Sequence, residues 1–194
     1  MKKLLAILLL ALSVPAFAAL EVAGVKFDDK AKVGAGDTVI NGAGVRGVLF
    51  IKGYAMALYL PQKAGAADDA ISMKGAKRVR IVLLRDTAGE TFADALPSGI
   101  RKNHTEQETA PLNARIEALK ATMLSISNTP KGAVIHFDWL PEVSGGVTRL
   151  TINSEKKGED IPGEDFYRAV LKIWLGEHPV QSDLKEALLG KSAS

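Results

Sequence analysis

The stretch NGAGVRGVLFIKGYAMALYLP, Asn41 to Pro61, decides the fold. It holds four glycines, one arginine and the longest strand-like run in the chain. Asn41 and Gly42 both tolerate positive φ, so the pair reads as a turn. Gly42, Gly44 and Gly47 also fit G-x-G-x-x-G, the fingerprint of a dinucleotide site. That site needs a helix directly after the glycines, with its N-terminus aimed at a pyrophosphate. Here Val48-Leu49-Phe50-Ile51 and Tyr54 to Leu60 follow, which are β-branched, aromatic and strand-like, so the dinucleotide reading is rejected. Val45 to Leu60 is expected to form two strands, with a bend near Lys52-Gly53. Strict alternation would put Arg46, Val48, Phe50, Lys52, Tyr54 and Met56 on one face. A glycine bend resets that phase and lets Arg46 and Tyr54 converge from neighbouring strands.

Upstream, Leu20 to Phe27 reads as a first strand, and Asp28 to Asp37, with Gly34 and Gly36, as a turn. The first 18 residues read as an export signal. Lys2 and Lys3 precede an apolar core, Leu4 to Leu12, too short to span a bilayer. Ala16-Phe17-Ala18 is an A-x-A site, so cleavage is expected after Ala18, leaving one domain from 19 to 194 and a periplasmic location. No later apolar run is long enough to span a membrane.

Downstream, a short helix is expected to end near Met73. Lys77 to Arg85 is a strand with Val79, Ile81 and Leu83 on one face; the basic cluster Lys77, Arg78 and Arg80 reads as its solvated side. Thr87 and Glu90 have capping-box spacing, so a helix is expected to start there, kinked or split by Pro97. A second helix opens at Pro111 and repeats Leu112, Ile116, Leu119 and Met123 at helical spacing. Ala133 to Leu140 and Val147 to Asn153 read as a hairpin around Gly145-Gly146. Pro162 opens a helix burying Phe166, Val170, Ile173 and Trp174, and Ser182 is expected to cap a last helix. Strands, a helical middle, a hairpin and closing helices, without regular β-α alternation, give an α+β fold: a mostly antiparallel sheet with helices packed on one face.

Composition removes several function classes. There is no cysteine, which excludes a zinc–thiolate site and a cysteine nucleophile. Without Lys2 and Lys3 the formal charge falls from +3 to +1, and no dense basic face points to nucleic acid. His104, His136 and His178 lack metal-ligand spacing, so no metal and no cofactor are expected. No G-x-S-x-G elbow is present.

Asn41 to Leu60, a glycine–arginine motif running into an apolar strand that ends in Tyr59-Leu60, resembles the corresponding segment of chalcone isomerases and their relatives. Val170 to Gly190, VLKIWLGEHPVQSDLKEALLG, is similar to the closing segment of the same family. The resemblance covers most of the chain after Ala18 and is nearest to bacterial exported chalcone isomerase-like proteins. It implies an open-faced sandwich with a cleft. Arg46 matches the arginine that steers the phenolate in the plant enzymes, and Asn103 matches a helix asparagine. Leu96 stands where the family's helix tyrosine would be, and Ile173 replaces a hydroxyl residue before Gly176-Glu177-His178. Non-catalytic relatives that bind a fatty acid through an arginine and a tyrosine are more similar, and Arg46 and Tyr54 supply that pair. The resemblance therefore implies binding of a small apolar carboxylate, with Arg46, Tyr54 and Asn103 as candidate ligand residues. The alternatives are an intramolecular lyase acting on a chalcone or other phenolic compound, and a structural or partner-binding protein. Oligomeric state is left open.

Overall fold

A computed structural model describes residues 19–191; the export signal expected over 1–18 lies outside them. The chain starts with a small hairpin, β1 (Leu20–Val22) and β2 (Val25–Phe27), turned by Ala23 and Gly24 at positive φ rather than extended as one strand. β3 (Lys30–Val33) and β4 (Gly36–Val48) form the next hairpin, followed by β5 (Ile51–Leu60). A short helix α1 (Ala67–Ser72) leads to β6 (Lys77–Leu83) and the two-residue β7 (Thr87–Ala88). The helical middle comprises α2 (Gly89–Lys102), α3 (Glu106–Thr109), a 3-10 turn at Ala110–Leu112, and α4 (Asn113–Leu124). Then come β8 (Asn128–Thr129), β9 (Val134–Leu140), β10 (Val147–Ile152), β11 (Glu155–Lys156) and β12 (Ile161–Pro162). The closing helices are α5 (Glu164–Leu175) and α6 (Ser182–Leu188).

The main sheet runs β11-β10-β9-β6-β5-β4-β3, with β12 also against β10, and its pairings are antiparallel. Period-2 alternation splits β5 and β6 between two cores. Met56, Leu58, Leu60, Val79, Ile81 and Leu83 face the helices. Ala55, Ala57, Tyr59 and Val82 face the other way, under Phe27 of the β1–β2 hairpin. α5 is the central helix: Phe166, Tyr167, Val170, Ile173 and Trp174 are all buried. This is the α+β architecture expected, with helices on one face of an antiparallel sheet.

Five local expectations give way to tertiary context. Asn41-Gly42 is not a turn but lies inside β4, at a register shift between Ile40 and Gly42. The turn between β4 and β5 falls at Leu49-Phe50, not at Lys52-Gly53. Thr87 does not cap α2; its hydroxyl donates to Arg85 O, and the capping box forms instead between Thr105 and Glu108 at the start of α3. α2 continues through Pro97 without a break. Lys77 is fully buried rather than solvated, its ammonium donating to Ile71 O at 2.9 Å, and burial lowers its pKa to about 8. Arg78 instead forms a two-pronged ion pair with Asp138 on the other face.

The β4 glycines have a packing reason. A Cβ on Gly42 would lie 2.1 Å from Ala187 O, and one on Gly44 would lie 2.9 Å from both Ala187 Cβ and Leu184 Cδ1. α6 rests on the bare backbone of β4, a contact that any side chain there would prise apart. Asn41, also buried, fastens the contact. Its Nδ2 donates to Ala64 O and Leu188 O, and its Oδ1 accepts from Ala64 N, at 2.7–2.9 Å.

Candidate functional site

Beyond the glycines, β4 and β5 carry the polar pair. Arg46 and Tyr54 are direct cross-strand partners, so both side chains leave the sheet on the helix side. Gly53 is the extra residue of the β5 bulge that permits this, because Arg46 pairs Tyr54 while the next residue, Gly47, pairs Lys52.

Each member of the pair is held by a residue near the C-terminal end of the chain. Arg46 Nη1 donates to Gln181 Oε1 at 3.2 Å and to Gly47 O. Gln181 Oε1 also accepts from Gly47 N at 3.0 Å, so one amide oxygen fixes both the strand and the side chain. Gln181 occupies the residue before α6, the cap position expected of Ser182, and spends its side chain on β4 rather than on the helix. Both Arg46 bonds run from Nη1 to neutral oxygens, so neither of them compensates the guanidinium charge. Tyr54 Oη accepts a hydrogen bond from Trp174 Nε1 of α5 at 2.9 Å. Burial raises its pKa above 10.0, against the opposing pulls of the Trp174 hydrogen bond and the Arg46 charge. The phenol therefore keeps its proton at neutral pH, and with the indole donating to it, its own O–H is available to donate.

These two residues line a cleft of about 630 Å³ between the β4–β5 hairpin and the start of α2. Val48, Leu49, Ile51, Phe92 and Val180 form much of its apolar wall, and Arg46, Tyr54, Arg85 and Asp86 its polar part. The volume lies within the range of small-molecule sites, and the lining, mostly apolar with few polar groups, is of the usual kind.

Asn103 is elsewhere. At the C-terminal end of α2, its Nδ2 donates to Gly99 O and His178 O, and its Oδ1 accepts from His178 N, all at 2.9–3.0 Å. It clamps α2 to the loop after α5, and Gly176 lies so close that a Cβ there would meet Asn103 Oδ1 at 2.1 Å. Asn103 borders a separate, more polar cleft of about 640 Å³ whose lining includes Lys102, Glu108, Lys172 and Lys185. The structure thus unites Arg46 with Tyr54 and separates both from Asn103. Gln181 and Trp174 complete the pair. Trp174 was legible as a buried helix residue but not as a partner of Tyr54, and nothing in the local sequence marks Gln181.

His136 faces the opposite side of the sheet, where burial, and then Arg78 and Arg80, lower its pKa to about 3. Among the described residues, no group of three or more His, Asp or Glu side chains could hold a metal, and no helix is long and apolar enough to cross a membrane.

The fold is an α+β sheet with one helix-covered face and a largely apolar cleft at one end of a hairpin. A family model described as chalcone isomerase-like matches residues 19–190, and the chain belongs to that family. Among solved structures it is similar to a fatty-acid binding protein from Arabidopsis thaliana. The TM-score is 0.64 at 14% identity, with 86% of this chain and 92% of the other covered. At that identity the likeness shows the fold. No curated protein sequence matches the chain.

Proposed function

We propose that this protein binds a small apolar carboxylate, such as a fatty acid, in the cleft beside Arg46 and Tyr54, and that it does so in the periplasm. The observation that carries the reading is the Arg46 guanidinium, hydrogen-bonded to neutral oxygens, set beside a protonated Tyr54 hydroxyl at an apolar-walled cleft. Guanidinium and carboxylate match in shape and charge, and the phenol adds a directed donor. The apolar wall formed by the hairpin, Phe92 and Val180 takes the chain of the ligand. That a protein of the same fold binds fatty acid supports the assignment. The periplasmic location rests on the export signal read in residues 1–18.

The test is native mass spectrometry of the purified protein, followed by titration of delipidated protein with a long-chain fatty acid. The protein is expected to carry a carboxylate lipid, and the fatty acid to raise Tm. Arg46→Ala is expected to abolish retention, and Tyr54→Phe to weaken it about tenfold, the worth of one hydrogen bond to a charged group. No bound lipid together with no shift in Tm would overturn the assignment. Turnover of a chalcone above its spontaneous rate would replace it with the lyase reading.

A further inference from the structure

Among the described residues, nothing covers the tip of the β4–β5 hairpin. Val48 and Ile51 are more than half exposed, Leu49 is 93% exposed and Phe50 100% exposed. A two-residue hairpin turn favours glycine, asparagine or aspartate. Here the turn holds Leu49, at φ 54, and Phe50. Local turn chemistry therefore argues against these residues, and so does the burial of apolar surface, since both side chains stay almost wholly exposed. Four contiguous large apolar side chains at a protruding apex suit insertion into an apolar medium.

Charge surrounds the tip. Lys52 follows it directly and is exposed. Leu84 N donates to Gly53 O at 2.9 Å, which sets the exposed Arg85 at the same end of the sheet. Lys131, also exposed, is tied there by its backbone N–H to Asp86 Oδ1 at 2.8 Å, a bond that engages the neighbouring acid. An apolar apex with cations set behind it matches an anionic bilayer, in which side chains enter the acyl region and ammonium groups stay among the phosphates. A second protein fits less well. A stable interface buries about 800 Å² per partner over some 20–30 residues, and a four-residue apex offers a small part of that.

We infer that the Val48–Ile51 tip inserts into the surface of an anionic lipid bilayer, with Lys52, Arg85 and Lys131 against the headgroups. Val48, Leu49 and Ile51 also wall the Arg46–Tyr54 cleft, so docking sets the cleft mouth at the lipid surface. The inference stands on the exposure and charge of the tip and does not require the ligand assignment.

The experiment is co-sedimentation of the delipidated chain from residue 19 onward with vesicles of equal parts phosphatidylglycerol and phosphatidylcholine, and with phosphatidylcholine alone, at low salt. Binding is expected to the anionic vesicles and to fall as salt rises. The double variant Leu49→Asn/Phe50→Ser is expected to lose about tenfold in affinity. Lys52→Gln and Lys131→Gln are expected to lose about fivefold each, on anionic vesicles alone. Phe50→Trp is expected to shift its emission to the blue on vesicle addition, against the two native tryptophans, which are buried. Both tip residues are exposed, so these variants are expected to fold, as circular dichroism will check. Failure of the wild type to sediment with anionic vesicles overturns the inference. So does undiminished binding by the tip double variant, or a wild-type dimer that the same double variant dissociates. Vesicle binding that persists in a protein retaining no fatty acid would refute the ligand assignment and leave this one intact.

Discussion

The base and the tip of the β4–β5 hairpin are built by opposite rules. At the base, Asn41, Gly42 and Gly44 are buried, side chains are absent or fully bonded, and the backbone lies against α6. At the tip, Val48 to Ile51 carry large apolar side chains and touch little. Arg46 and Tyr54 lie between, half-buried and held from the far end of the chain. The difference teaches that a glycine-rich motif need not be a loop. Its glycines serve the close approach of a helix, and the hairpin turn sits where glycine is missing.

The comparison breaks first at the base. Gly42→Ala places a methyl within 2.1 Å of Ala187 O and is expected to cost about 3 kcal/mol, because backbone has to move to admit it. Denaturant unfolding measures it, and a loss near zero would mean that α6 does not rest on β4. Asn41→Ala strands Ala64 N, Ala64 O and Leu188 O in the interior and is expected to cost about 2 kcal/mol by the same assay. In the middle, Gln181→Ala frees Arg46 and Gly47 N, and is expected to cost about 1 kcal/mol in stability while weakening retention of the carboxylate ligand. At the tip the sign reverses. Leu49→Gly relieves a positive φ and is expected to raise stability by up to about 1 kcal/mol, read as a small increase in Tm.

The opposite face of the sheet adds a pH test. His136 has a folded pKa near 3, below its ordinary 6.5, so the unfolded chain binds the proton more readily. Stability is therefore expected to fall as pH drops from about 6.5 towards 3, and His136→Gln to flatten that fall, as measured by unfolding midpoints across the range.

Local patterns in the chain carry over directly into the fold. The alternation of Val79, Ile81 and Leu83, the Gly145-Gly146 hairpin and the apolar stripe of α5 are one-dimensional signals, and each appears where its period placed it. What went astray depended on distant partners. Asn41-Gly42 has turn chemistry, but Leu188, 147 residues further on, sets its conformation. Thr87-Glu90 and Thr105-Glu108 share a capping pattern, and only the second pair uses it; the start of α2 is wedged against the segment that follows α4, where a Cβ on Gly89 would meet Ile126 O at 1.9 Å. Within the candidate site, the resemblance of the glycine–arginine motif pointed to Arg46 and Tyr54, which the hairpin pairs. Asn103 was matched by its place in a helix, and that place is taken up with joining α2 to the loop at His178. Glycine inside a strand-like run is a signal of close backbone approach, and read that way it points towards α6.

The dependence of β4 on α6 also sets an order in time. Strand β4 leaves the ribosome early, yet its glycine face has nothing to rest on until residues 182–188 are made. Arg46 lacks its Gln181 anchor for the same interval. A nascent chain halted before α6 has already exposed the lipophilic hairpin tip while the arginine beside it is still unfastened. Arg46 and Tyr54 are thus encoded well before Gln181 and Trp174, the residues that hold them in place.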